Sequence, residues 1–167
     1  MNDIIFWILA GGAIISALLM VTRKSAVPSA LMLIVTFCFL AALYLTLNAQ
    51  FLAVVQVAVY AGAIMVLVVF VIMLLNLRGE KYSITGNWKT LVGILAVAGI
   101  LAQMIVVFAM ASDTLPKTLH AKAVEFGTVE SIGTKLYTSY AFPFEMASII
   151  LIAAAVGAIV LAKKKLT

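Results

Sequence analysis

The stretch FLAVVQVAVYAGAIMVLVVFVIMLLNL, Phe51 to Leu77, is uncharged from end to end and sets Gln56, Tyr60 and Gly62 inside an otherwise apolar run. About 20 apolar residues span a bilayer, so this run crosses a membrane as a helix with turns to spare. An inert anchor helix would carry Leu, Ile or Val where Ala58-Val59-Tyr60-Ala61-Gly62-Ala63-Ile64-Met65 places a phenol and a glycine. Function is therefore expected in the middle of this helix.

The rest of the chain has the same character. Of its 167 residues 66% are hydrophobic and only 10% charged, and the mean hydropathy is +1.25. Water-soluble domains do not have that balance. Four further spans can be drawn at about Ile4 to Val21, Val27 to Leu47, Trp88 to Ala111 and Ala141 to Ala162. The expected fold is all-α, a single transmembrane domain over 1–167 with five membrane-spanning helices and no extramembrane domain with its own core. A signal peptide is the competing reading of the first span, but Met1-Asn2-Asp3 lacks a basic n-region and the apolar run is too long for an h-region.

The net charge of +5 and the pI near 9.5 follow from topology and not from a nucleic-acid partner, of which none is expected. Five spans put the termini on opposite sides. With the amino terminus outside, the inner segments hold Arg23, Lys24, Arg78, Lys81, Lys89, Lys163, Lys164 and Lys165, eight of the eleven basic residues. The outer segments hold Lys117, Lys122 and Lys135 beside Asp113, Glu125 and Glu130. The positive-inside rule selects this orientation, amino terminus outside and carboxyl terminus cytoplasmic.

Small residues mark faces for helix packing. Gly11, Gly12, Ser16 and Ala17 lie in the first span, with Gly12 and Ser16 four apart, and Ala153, Ala154, Gly157 and Ala158 repeat the pattern in the last. Such faces let helices approach closely and suit a subunit of a larger assembly. The outer loop, Ser112 to Ser139, contains Pro116, and in its second half Val129, Ile132, Leu136 and Tyr140 recur at helical spacing. Thr128 as cap and Glu130 in the first turn predict a short amphipathic helix lying along the outer surface.

Few side chains offer chemistry. Cys38 is the only cysteine and reads as a small hydrophobe, since no disulfide, thiolate zinc site or iron–sulfur cluster can be built from it alone. His120 is the only histidine and has no companion in sequence. Neither a phosphate-binding glycine motif nor a nucleophile elbow is present, so any redox chemistry belongs to other chains. Glu145, in Phe142-Pro143-Phe144-Glu145, either complements the dipole of a helix that Pro143 begins, or handles protons or pairs with a neighbouring subunit. Gln56 and Tyr60, four apart, share a face with Ala63 and Leu67, and either bond statically across a helix interface or border a hydrated path.

The run NAQFLAVVQVAVYAGAIMVL, Asn48 to Leu67, with Met73-Leu74-Leu75-Asn76-Leu77 at its end, resembles the third helix of the subunit J family of bacterial respiratory complex I, the counterpart of mitochondrial subunit 6. Gly127-Thr128-Val129-Glu130-Ser131-Ile132-Gly133, then Tyr137, Tyr140, Pro143-Phe144-Glu145, Ala147-Ser148 and Gly157-Ala158, and Pro28 with Ser29-Ala30-Leu31, extend the resemblance over essentially the whole chain. It carries nothing onto Asp113 to Phe126. It implies a proton-pumping NADH:quinone oxidoreductase of the bacterial inner membrane, reducing ubiquinone or menaquinone in a respiratory chain. This subunit would hold no cofactor, FMN, iron–sulfur clusters and quinone being bound elsewhere. Its partners would be subunits A, H and K and the antiporter-like subunits, and its task coupling electron transport to proton translocation. The resemblance further implies a π-bulge in the third helix that refolds to α-helix and makes or breaks a water path, with Tyr60, Gly62, Met65 and Val66 in that region. Rotation of everything beyond such a bulge would move Met65, Val66 and Phe70, the expected gate, while Gln56 and Glu145 stand, from their own placement, as candidate polar or inter-subunit contacts.

Three alternatives stand beside this reading. A secondary transporter would show inverted repeats and ionisable groups at mid-membrane, against which five unequal helices argue. A purely structural packing subunit would fit the small-residue faces. A related ion-pumping complex fed by ferredoxin or another donor would contain a homologous subunit.

The charge asymmetry generates the first prediction. A carboxyl-terminal reporter fused after Lys163-Lys164-Lys165 is active in the cytoplasm, and activity confined to the far side would reverse the orientation.

Overall fold

The computed structural model describes residues 2–75, 87–111 and 126–163, and every regular element among them is a helix. In order these are α1 (Asn2–Thr22), α2 (Ala26–Thr46), α3 (Gln50–Leu74), α4 (Asn87–Ala111), α5 (Val129–Tyr137) and α6 (Ala141–Ala162). All but α5 are long and apolar enough to cross a membrane. The predicted end of the third helix at Leu77, the basic residues Arg78 and Lys81, the loop from Ser112 through Glu125 with His120, and Lys164 and Lys165 lie outside the described residues.

Helices α1, α2, α3, α5 and α6 belong to one unit and α4 to a second. In the first unit α2 is the axis, with α1 and α3 both packed on it. The buried residues are small: Ala13, Ala30, Ala41 and Ala53 with Ser16, Thr36 and Gln56, and one large side chain, Met65. Small residues let helix backbones approach, which drives packing in lipid where burial of apolar surface gives little. The expected face of α1 is used in this way. Gly12 lies under the Phe39 ring, where a Cβ would stand 2.5 Å from Cε1, and Ser16 Oγ lies 2.9 Å from Thr36 Oγ1. Ser16 also reaches the Ala13 carbonyl at 3.0 Å and Thr36 the Met32 carbonyl at 2.9 Å. Each hydroxyl has one proton, so one donates across the interface and the other back to its own helix.

The α1–α2 connection exposes Arg23 and Lys24, and Ser29 Oγ donates to the Met20 carbonyl at 2.7 Å, tying the start of α2 to the end of α1. The α2–α3 joint is tighter. Asn48, at φ 59, takes the left-handed conformation, and Asn48 and Ala49 N–H donate to the Leu45 and Tyr44 carbonyls at 3.1 and 2.9 Å. This is a Schellman closure with asparagine in the place usually taken by glycine.

The short helix α5 forms where Thr128 caps it, its Oγ1 accepting from Ser131 N–H at 3.3 Å, with Glu130 in the first turn and Lys135 in the last. Ile132 and Leu136 are half-buried, but Val129 is exposed and Tyr140 lies beyond the helix. The helical spacing overreached there because Tyr140 N–H donates to the Lys135 carbonyl and closes the end. Helix α6 buries none of its residues and meets only α5 among the described elements, through the edge-to-face pair Tyr137 and Phe144 at 5.2 Å. In the second unit, the described side chains of α4, Trp88 and Leu91 to Met110, are all exposed.

Packing of α1 on α2 generates a prediction. Gly12→Val drives a branched side chain into the Phe39 ring and destabilises the helix pair by about 1–3 kcal/mol, read as a lower thermal-unfolding midpoint of the detergent-solubilised assembly. Gly11→Val, with no described atom outside its own stretch of helix within 4 Å of its Cβ position, leaves the α1–α2 contact intact.

Candidate functional site

Helix α3 changes its bonding twice. It is α-helical over Gln50–Val55, π-helical over Gln56–Ile64 and α-helical again over Met65–Leu74. At the upstream boundary Gln56 N–H points to the Ala53 and Leu52 carbonyls, three and four residues back. Downstream, Met65 N–H points to those of Gly62 and Tyr60, three and five back. Val55 and Gln56 at the first boundary and Met65 at the second keep right-handed helical dihedrals. A π turn carries one residue more per bonded ring, with each carbonyl turned toward the amide five ahead. Gly62 suits this bonding: a Cβ there would stand 3.2 Å from the Val57 carbonyl oxygen, five residues back.

The consequence is seen in burial. Gln56 is 7% exposed and Met65 1%, yet they are nine residues apart. At 3.6 residues per turn nine residues make about 2.5 turns, which puts the two ends on opposite faces. Here both are buried, and among the described elements α2 is the only membrane-crossing helix packed against α3. The wider π turns return Met65 to the side that Gln56 occupies.

This corrects one expectation. Gln56 was expected to share a face with Tyr60, Ala63 and Leu67, but Gln56 is buried while Ala63 and Leu67 are exposed, because the rule of four assumes a regular α-helix; Tyr60, though partly exposed, still meets α2. Gly62 is half-buried and Val66 exposed. The Tyr60 ring packs edge-to-face on Phe37 of α2, with centroids 5.7 Å apart at 67°, a partner that the sequence gives no means of choosing. The Gln56 carboxamide makes no hydrogen bond with a described side chain, and no fully enclosed side-chain nitrogen or oxygen among the described residues lacks a partner. Val66 and Phe70, with Leu31, Ile34, Val69 and Met73, line an open apolar groove of about 290 Å³ between the two helices.

The other candidates lie apart from this segment. Glu145 is exposed on α6. The helix begins at Ala141, two residues before Pro143, so the carboxylate falls beyond the first turn. Proline is tolerated in a first turn, where its missing N–H has no intrahelical partner in any case. Cys38 is exposed on α2. Among the described residues no three His, Cys, Asp or Glu side chains cluster.

The residues flanking and forming this segment fall within a family match covering 16–161, to NADH-ubiquinone/plastoquinone oxidoreductase chain 6. The chain is 39% identical to NAD(P)H-quinone oxidoreductase chain 6 of Nostoc sp. over 96% of its own length and 78% of that protein. It is 40% identical to the chain 6 of Leptolyngbya boryana, over 96% and 79%, and 37% identical to the chloroplastic subunit 6 of Staurastrum punctulatum, over 99% and 93%. Together with the five spanning helices, these matches place the chain in the NADH-ubiquinone/plastoquinone oxidoreductase chain 6 family, a membrane subunit of NAD(P)H-quinone oxidoreductase, complex I.

Proposed function

We propose that this chain couples quinone reduction to proton translocation through a change of register in α3, and that it takes no part in electron transfer itself. Electrons pass through FMN, iron–sulfur clusters and quinone held by other subunits, and the chain sits among subunits A, H and K and the antiporter-like subunits in a bacterial plasma membrane. The observation that carries the reading is the shared burial of Gln56 and Met65 across the π-helical segment.

Refolding Gln56–Ile64 to regular α-helix would turn the following half of α3 by roughly half a turn, since the nine residues would again occupy about 2.5 turns. Met65 would leave the α2 side, and Val66 and Phe70 would swing with it. Bulky apolar side chains entering a hydrated path close it by drying it, while the Gln56 amide and Tyr60 phenol, each able to donate and accept, order water when the path is open. Electron input is decided in other chains. Purifying the complex with its soluble subunits identifies the donor, and a ferredoxin-type module would place the same coupling element in a related ion-pumping complex.

Two predictions test the reading. Tyr60→Phe keeps the ring on Phe37 and removes only the hydroxyl, so the complex assembles and pumps fewer protons per electron; wild-type stoichiometry and turnover would remove Tyr60 from the mechanism. Gly62→Ala crowds the Val57 carbonyl in the π register and adds about 1 kcal/mol of α-helix propensity, shifting the register about fivefold toward α. Gly62→Leu does so more strongly, and Val66→Leu acts in the same direction more weakly by lengthening the plug. In each, donor oxidation by an artificial acceptor at the soluble arm is retained while quinone reduction and pumping fall. Loss of assembly in all of these would instead support a structural packing subunit.

A further inference from the structure

We infer that Gly127 is a backbone anchor for the amino-terminal end of α3, so that a change of register in the π-helical segment is delivered to the Met65–Leu74 half of the helix. The inference rests on the coupling role proposed for that segment and adds a positioning residue outside it.

Three observations meet at one point. Phe51 N–H is one of the first four of α3, which have no intrahelical acceptor, and it donates to the Gly127 carbonyl at 3.2 Å. Ala49 at the N-cap offers no side-chain acceptor in its place. A Cβ on Gly127 would overlap the Asn48 carbonyl oxygen, and would stand 2.9 Å from that carbonyl carbon and 3.1 Å from Ala49 Cα, so the two backbones meet with no room for a side chain.

The joint is held from both directions. On one side the Schellman closure at Asn48 fixes the end of α2. On the other, Thr128 follows Gly127 directly and caps α5, and the Lys135 ammonium lies 4.4 Å from the centroid of the Phe126 ring, within the range of a cation–π contact. Gly127 thus ties α5 to the start of α3. A helix fixed at one end passes a change of register only toward the other. With that end free, Gln50–Val55 would turn instead, and the groove lined by Val66 and Phe70 would stay where it is.

The test is amide hydrogen exchange on the intact complex, at rest and turning over with its electron donor and quinone. Protection across Tyr60–Phe70 changes with turnover and protection across Phe51–Ala53 does not. An equal change at Phe51–Ala53 overturns the anchor and leaves the coupling role standing; no change anywhere in Gln56–Phe70 overturns both. Gly127→Ala must part the two backbones, and the assembled variant loses protection at Phe51 and pumps fewer protons per electron, with donor oxidation by an artificial acceptor unchanged. Gly133→Ala, at an α5 glycine with nothing within 4 Å of its Cβ position, behaves as wild type. Wild-type stoichiometry in a Gly127→Ala complex that has lost Phe51 protection overturns the anchor. Should that variant fail to assemble, the exchange pattern of the wild-type complex decides.

Discussion

A peptide N–H inside hydrocarbon has to find a carbonyl, because each unsatisfied group there costs several kcal/mol. That constraint governs α3 more than any side chain does. In the π-helical stretch the amides keep acceptors by reaching one residue further back, as Met65 does to Tyr60. A register change therefore exchanges one set of carbonyls for another, and its free-energy difference is that between two bonded states. The absence of proline from Gln50–Leu74 leaves every amide available for either scheme.

Beside this fully bonded helix, the α1–α2 pair is held by close packing. Phe39 on Gly12 and the Ser16–Thr36 hydroxyls hold the pair by close approach, with the interhelical hydrogen bond contributing about 0.6–2 kcal/mol. The contacts between α2 and the π segment are of similar size: an edge-to-face pair such as Tyr60 on Phe37 contributes about 0.5–1.5 kcal/mol. A glycine changes helix propensity by about 1 kcal/mol. No one of these dominates, so the packing of α3 on α2 rests on their sum.

Much of this was legible in the sequence, and what was not has a common cause. Hydropathy gave all five spans, and Gly12 with Ser16, and Thr128 with Glu130, are local signals that the structure uses as local signals. Spacing within α3 misled at Ala63 and Leu67, expected on the face of Gln56, because periodicity counts 3.6 residues to a turn and a π segment does not. Phe37 beside Tyr60, Thr36 beside Ser16 and Asn48 beside Gly127 are long-range partnerships, chosen by how helices stack. A glycine before a threonine cap announces a helix start, but nothing nearby in sequence says whose backbone it will touch.

The isolation of α6 has a consequence for what can surround it. With no buried residue and one ring pair joining it to α5, this helix is held laterally by little of the described polypeptide. Its lateral surface is thus left to lipid or to the other subunits of the complex, where small residues such as Ala153, Ala154, Gly157 and Ala158 allow a neighbouring helix to approach closely.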